Sequence, residues 1–123
     1  MANTETSLKE ATQIEGAIGA ALVDWTSGMA LGTIGGGNEL DLNVAAAANT
    51  DVVRAKVRAM EALGLQDEIE DILITLGTQY HLIRLLRTRG GTGLFLYLAL
   101  DKNRANLAMA RHQLKKIEGD LEI

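Results

Sequence analysis

"NVAAAANTDVVRAKVRAMEALG" (Asn43–Gly64) reads as a single helix of about six turns, and it carries two apolar faces where one would anchor it to a core. At about 100° per residue, Ala46, Val53, Val57 and Met60 gather on one side. Ala45, Ala48, Val52, Ala55, Ala59 and Ala62 gather on another, roughly 150° away. Asp51, Arg54, Arg58 and Glu61 form a charged stripe, while Asn49 and Lys56 sit in the gap between the apolar faces. The bulky side has the ordinary use of packing on the protein's own sheet. For the alanine side two readings stand. Alanine is the best helix former and can simply fill helix positions. The preferred reading is close approach of a second helix, which small side chains permit. In a chain with few helices a symmetry-related copy is the obvious supplier, twofold dimers being the commonest oligomers.

The elements on either side of this helix set the fold class. "MANTET" (Met1–Thr6) reads as a mobile tail. Ser7 and Glu10 then have the spacing of a capping box, and the helix they open, with Leu8, Ala11 and Ile14 on one face, is expected to stop near Gly16. Ala17–Trp25 and Met29–Gly35 are short, glycine-containing apolar runs separated by a turn, the pattern of a hairpin. After Gly64 three more runs, Ile69–Leu76, Tyr80–Arg87 and Leu94–Leu100, are separated by "GTQ" and "TRGGTG". In the last of them Leu94, Leu96, Leu98 and Leu100 alternate with Phe95, Tyr97 and Ala99, so both faces are expected to be covered. Asp101 or Asn103 is expected to cap a final helix whose stripe is Leu107, Ala110, Leu114, Ile117 and Leu121.

The order is therefore α-β-β-α-β-β-β-α. Strands joined by tight turns pair antiparallel, and only the long helix is long enough to be a crossover. The expected fold is α+β, a five-stranded, mainly antiparallel sheet between helices. If the last three strands form a meander, Asp71–Leu76 lies at a sheet edge, apolar and with no proline or lysine to guard it. Self-pairing about a twofold would remove that edge, so Ile72 and Ile74 join Ala48, Val52, Ala55, Ala59 and Ala62 as the expected dimer interface.

Composition narrows the function. The 123 residues suit one domain, and a hydrophobic share of 47% with 23% charged residues is that of an ordinary soluble protein. A net charge of −4 provides no electrostatic footprint for nucleic acid or for an anionic membrane. There is no cysteine, no apolar stretch long enough to span a bilayer and no signal-peptide start, so a cytoplasmic location is expected.

Together the order of elements, the hairpin "GAALVDWTSGMALG", the alanine-rich second helix and the segment "TGLFLYLALDKNRANLAMARHQL" resemble the roadblock / dynein light chain family, particularly its bacterial and archaeal members. The resemblance runs from about Gly16 to Leu114 and implies a roadblock/profilin-like sandwich over residues 7–121. It further implies a homodimer with a continuous sheet and paired second helices, acting as a binding platform or regulator of small Ras-like GTPases. On that mode partners dock over the paired helices, where Asp51, Arg54, Arg58 and Glu61 would meet them; the plain alternative is a solvated face with weak ion pairs. Two competing functions stand beside it: a structural scaffold or motor-complex light chain without a nucleotide-dependent partner, and a small-molecule sensor.

No catalytic, cofactor or metal site is expected. "GTIGGG" (Gly32–Gly37) lacks the Gly-Lys-Ser/Thr ending of a phosphate loop, and "TRGGTG" joins two strands without opening a helix. His81 and His112 have no cysteine near them. Ser7 and Ser27 fall in a cap and a turn, and Glu70 and Asp71, adjacent on a strand, point to opposite faces. Trp25 and Tyr80 read as packing at the core's edge.

Overall fold

A computed structural model of the chain describes residues 2–87 and 93–122. The elements are α1 (Thr4–Thr12), β1 (Ala17–Asp24), β2 (Met29–Gly35), α2 (Leu42–Ala62), β3 (Asp71–Thr75), β4 (Gln79–Leu85), β5 (Leu94–Asp101) and α3 (Leu107–Asp120). The five strands form one sheet in the order β2-β1-β5-β4-β3, with every neighbouring pair antiparallel. The expected α+β architecture and element order are what the structure has. So is the edge position of β3. Most of "TRGGTG" (Thr88–Thr92) lies outside the described residues.

The two faces of the sheet bury different side chains because strand residues alternate in direction. On one face Leu22, Leu82, Leu96, Leu98 and Leu100 pack against Leu8 and Ala11 of α1 and Leu114 and Ile117 of α3. On the other, Val23, Ile83, Phe95 and Tyr97 pack against Ala46 and Val53 of α2. β5 runs through the middle, and Leu94 through Leu100 are all buried, as the alternation within that run predicts. Trp25 and Tyr80 border the α2-side and α3-side cores respectively.

Caps explain where α2 begins and ends. Asp41 keeps extended backbone angles, as an N-cap does, and its carboxylate accepts the amides of Asn43 (3.0 Å) and Val44 (3.2 Å). At the far end Gly64 adopts φ 71°, Leu65 N–H donates to the Met60 carbonyl and Gly64 N–H to that of Glu61, a Schellman arrangement. Asp41→Ala removes the side chain that accepts those amides and should lower stability by about 1 kcal/mol, read by urea unfolding. The loop entering α2 turns at Gly36, whose φ of 82° and close approach to the Leu40 carbonyl leave no room for a Cβ.

Several sequence-based boundaries need correction. α1 starts at Thr4, and its cap is Asn3, whose side chain accepts the Thr6 amide at 2.8 Å; Ser7 is buried inside the helix and Glu10 does not close a capping box. Residues expected to be tail are thus part of the helix from Thr4 on, and Ala2 bridges to Leu121. The helix ends at Thr12 and not at Gly16, which takes φ 88° in the link to β1. α3 is capped by Asn106, which accepts the Met109 amide, whereas Asp101 closes a turn by accepting the Asn103 amide. β3 spans only Asp71–Thr75, since the chain from Leu63 to Glu70 is irregular.

β3 is held from the α3 side by charge. Arg84 of β4, with its side chain 7% exposed, lies 3.4 Å from Glu118 of α3 and 3.8 Å from Asp71 of β3. Arg111 of α3 grips the same Asp71 through both oxygens, at 3.1 and 2.9 Å. Two arginines and two carboxylates therefore meet between the edge strand and α3, each buried charge having an opposite partner.

Candidate interaction surface

α2 lies over β1 and β2, and its inner side is spent on them: Leu42, Ala45, Ala46, Asn49, Thr50 and Val53 are buried. The polar members of that set are satisfied locally, Asn49 Nδ2 and Thr50 Oγ1 donating to the Ala45 and Ala46 carbonyls one turn back. Of the expected interface residues, Ala48, Ala55, Ala59 and Ala62 are exposed and Val52 is half-buried at the margin of the core. Val44 stands in the same outward row, 63% exposed, and escaped the sequence reading although its spacing of four from Ala48 and eleven from Ala55 marks it.

Ile72 and Ile74 are half-buried on β3, opposite Ile83 and His81 of β4. Since Ile72 and Ile83 pack into the α2-side core, both isoleucines face the same side of the sheet as α2. The helix's alanine row and the strand's edge are thus brought to one side, with the half-exposed His81 and Leu85 of β4 between them. The arrangement is an apolar corner: a helix flank, a partly uncovered sheet surface and an unpaired strand edge.

His81 lies in this corner with its ring edge-on to Tyr97 at 5.5 Å and its Nε2 2.8 Å from Gln79 Oε1. Burial holds its pKa below the ordinary value of 6.5. The folded state therefore takes up fewer protons than the unfolded one. Stability from this group is complete above pH 6.5 and declines as pH falls below it toward the folded-state pKa. Urea unfolding on either side of that pH should show the decline, and His81→Gln should flatten it. Beneath it the Tyr97 hydroxyl is buried without a well-formed hydrogen bond; burial pushes its pKa up to about 12, with the Asn49 side chain acting weakly in the opposite sense.

The charged stripe divides. Asp51, Arg58 and Glu61 are exposed. Arg54 is half-buried and already engaged: Nε donates to the Trp25 carbonyl at 3.0 Å and Nη2 to that of Thr26 at 2.7 Å, tying α2 to the β1–β2 turn. A helical wheel shows Arg54 among the other charges but cannot show the turn passing beside it.

Near the C-terminal end of α2 an open cleft of about 570 Å³ is lined by Trp25, Val57, Met60, Leu65, Ile69 and Leu85, with Glu61, Asp67 and Glu68 among its polar groups. Its volume is in the range of ligand sites, although it opens broadly to solvent. Among the described residues no group of three or more His, Asp or Glu side chains is gathered to hold a metal ion, and no helix is long and apolar enough to cross a membrane.

A single five-stranded sheet of order β2-β1-β5-β4-β3, with one long crossover helix on one side and two shorter helices on the other, is the roadblock fold. The Roadblock/LC7 domain from Streptomyces avermitilis is similar over 96% of this chain and 93% of that one, with a TM-score of 0.78 at 13% identity. Myxococcus xanthus MglB matches 92% of the chain over 83% of its own length, with a TM-score of 0.72 and 18% identity. M. xanthus MglC has 23% identity and a TM-score of 0.59 over 94% of this chain and 92% of its own. No family model matches the sequence, and no curated protein matches it either. The likeness is one of fold, and it agrees with the resemblance carried by the hairpin and the alanine-rich helix.

Proposed function

We propose that this chain is a non-enzymatic homodimeric regulator or adaptor that binds a small Ras-like GTPase across its paired α2 helices. The observation that carries the reading is the apolar corner: an outward row of small side chains on α2 beside an unpaired edge strand whose isoleucines face the same way. A second copy covers both at once, helix against helix and β3 against β3. The similarity of fold to the MglB structures supports the regulator class. Any hydrolysis of GTP then rests on the partner's own residues, which a regulator accelerates by positioning them.

Asp51, Arg58 and Glu61 supply the charged part of the partner surface, with Arg54 holding the adjoining turn in place. Arg58→Glu should weaken GTPase binding by about tenfold, as expected for an interfacial charge reversal, and leave the dimer intact. The test of the function is affinity capture from a lysate of the source organism, loaded with either a non-hydrolysable GTP analogue or GDP. A small GTPase enriched in one nucleotide state is the expected result. A GTPase retained equally in both states, or none retained in either, moves the assignment to a structural scaffold, because equal affinity for two states shifts neither.

A further inference from the structure

α3 and the loop before it concentrate positive charge that neither the core nor the proposed α2 surface uses. Five of the chain's 12 lysines and arginines fall between Lys102 and Lys116, with no Asp or Glu among them, in a chain whose net charge is −4. Arg111 is engaged with Asp71. Arg104, Lys115 and Lys116 are exposed, and none has an acidic group within ion-pair distance among the described residues. Because α3 buries Ala110, Leu114 and Ile117, it turns Met109, His112, Lys115 and Lys116 outward, and Met109 is 52% exposed. Met109, His112 and Lys116 are spaced three and four apart and so lie in one line, with Lys115 beside it.

We infer that the outer face of α3 is a docking strip for an acidic segment of a partner protein, with carboxylates on Arg104, Lys115 and Lys116 and an apolar side chain on Met109. The neighbouring helix argues for a narrow segment over a flat anionic surface. α1 packs beside α3 and presents Glu5, paired with the exposed Lys9 at 3.2 Å, and Glu10, with Glu15 just beyond its end, all exposed. A bilayer laid on this side of the sheet meets those acids. A peptide narrow enough to follow the outer line of α3 meets Met109, His112 and Lys116 with Lys115 beside them, and stays clear of Glu10 and Asp120 on one flank and of Glu70 and Asp71 on the other. The strip is on the side of the sheet opposite α2, so it is available with α2 paired or free and does not rest on the GTPase reading.

Fluorescence anisotropy of a labelled peptide of repeated Glu-Glu-Leu, titrated with the whole protein, reads this out. The expected result is saturable binding that fades as salt is raised from about 0.01 M to about 1 M, over which the screening length falls from about 30 Å to about 3 Å. Lys115→Glu combined with Lys116→Glu should weaken it by about tenfold or more with circular dichroism unchanged, while Arg58→Glu on α2 should bind as the parent does. Absence of saturable binding at low salt overturns the inference, and so does undiminished binding by the double variant. Sedimentation with phosphatidylserine vesicles in the absence of peptide binding also overturns it and assigns the strip to a lipid surface.

Discussion

Ala55→Arg or Ala59→Arg is expected to convert the proposed dimer into a monomer whose circular dichroism matches that of the parent. Both alanines are exposed in the single chain, so a long side chain at either position displaces nothing within the protomer. Arginine is also a good helix former, and α2 should keep its stability. The effect falls on the contact between copies. An arginine in a close helix–helix approach is buried without a partner, and each dimer carries two. A loss of about 3 kcal/mol or more, over about a hundredfold in dissociation constant, follows from leaving such a charge unpaired. Sedimentation equilibrium across a dilution series measures it. A dimer of unchanged stability places the interface elsewhere and removes the basis for the paired-helix platform.

Arg84→Leu should have the largest effect on the protomer itself, lowering the unfolding free energy by about 3 to 5 kcal/mol. The loss comes mainly from what the substitution leaves behind. Glu118, with its side chain 8% exposed, has Arg84 as its one ion-pair partner among the described residues, and without it a carboxylate is stranded against the α3-side core. Asp71 keeps Arg111 and so suffers less. Replacing Glu118 by leucine in the same chain should recover much of the loss, since a buried ion pair exchanged for apolar groups is often close to neutral. Urea unfolding of the two variants decides the matter; a cost below about 1 kcal/mol for Arg84→Leu would mean that water reaches Glu118 and that β3 is held by its hydrogen bonds to β4 and by the Arg111–Asp71 pair.

These two sites differ in how far the sequence discloses them. The alanine row is legible because helical spacing alone separates Ala48, Ala55 and Ala59 from Ala46 and Val53, and the structure buries the second set while exposing the first. The two-sided burial of β5 and the edge position of β3 are legible for the same kind of reason, being consequences of period and connection length. Arg84 is only half legible. Its place between Leu82 and Leu86 puts a charge on an inward-facing position, but its partners Asp71 and Glu118 come from two other elements that only the tertiary fold assembles. Helix starts are illegible for another reason. Asn3 and Ser7, or Asp101, Asn103 and Asn106, are all competent caps within a few residues of one another. Which one serves depends on where the backbone leaves the extended region, and packing against the sheet decides that. Arg54 shows the limit of a wheel, since its hydrogen-bond acceptors lie in a turn that precedes it by nearly thirty residues.

The pairing of β1 with β5 carries a consequence for how the chain is made. Leu22 sits beside Leu96, so the centre of the sheet joins segments separated by most of the sequence. During synthesis the hairpin of β1 and β2 is complete well before β5, with one side of β1 unpaired and apolar, and it waits until this last strand of the sheet has left the ribosome. A chain interrupted before Leu94 lacks the central strand on which both hydrophobic layers are built. Contacts of such long sequence separation slow folding, because the closure entropy precedes any reward. The three C-terminal strands by contrast meet their neighbours as they appear, and α3 follows directly to seal them. Assembly of the sheet thus waits on the synthesis of β5, and the segment from β3 to α3 is the part that recruits the β1–β2 hairpin.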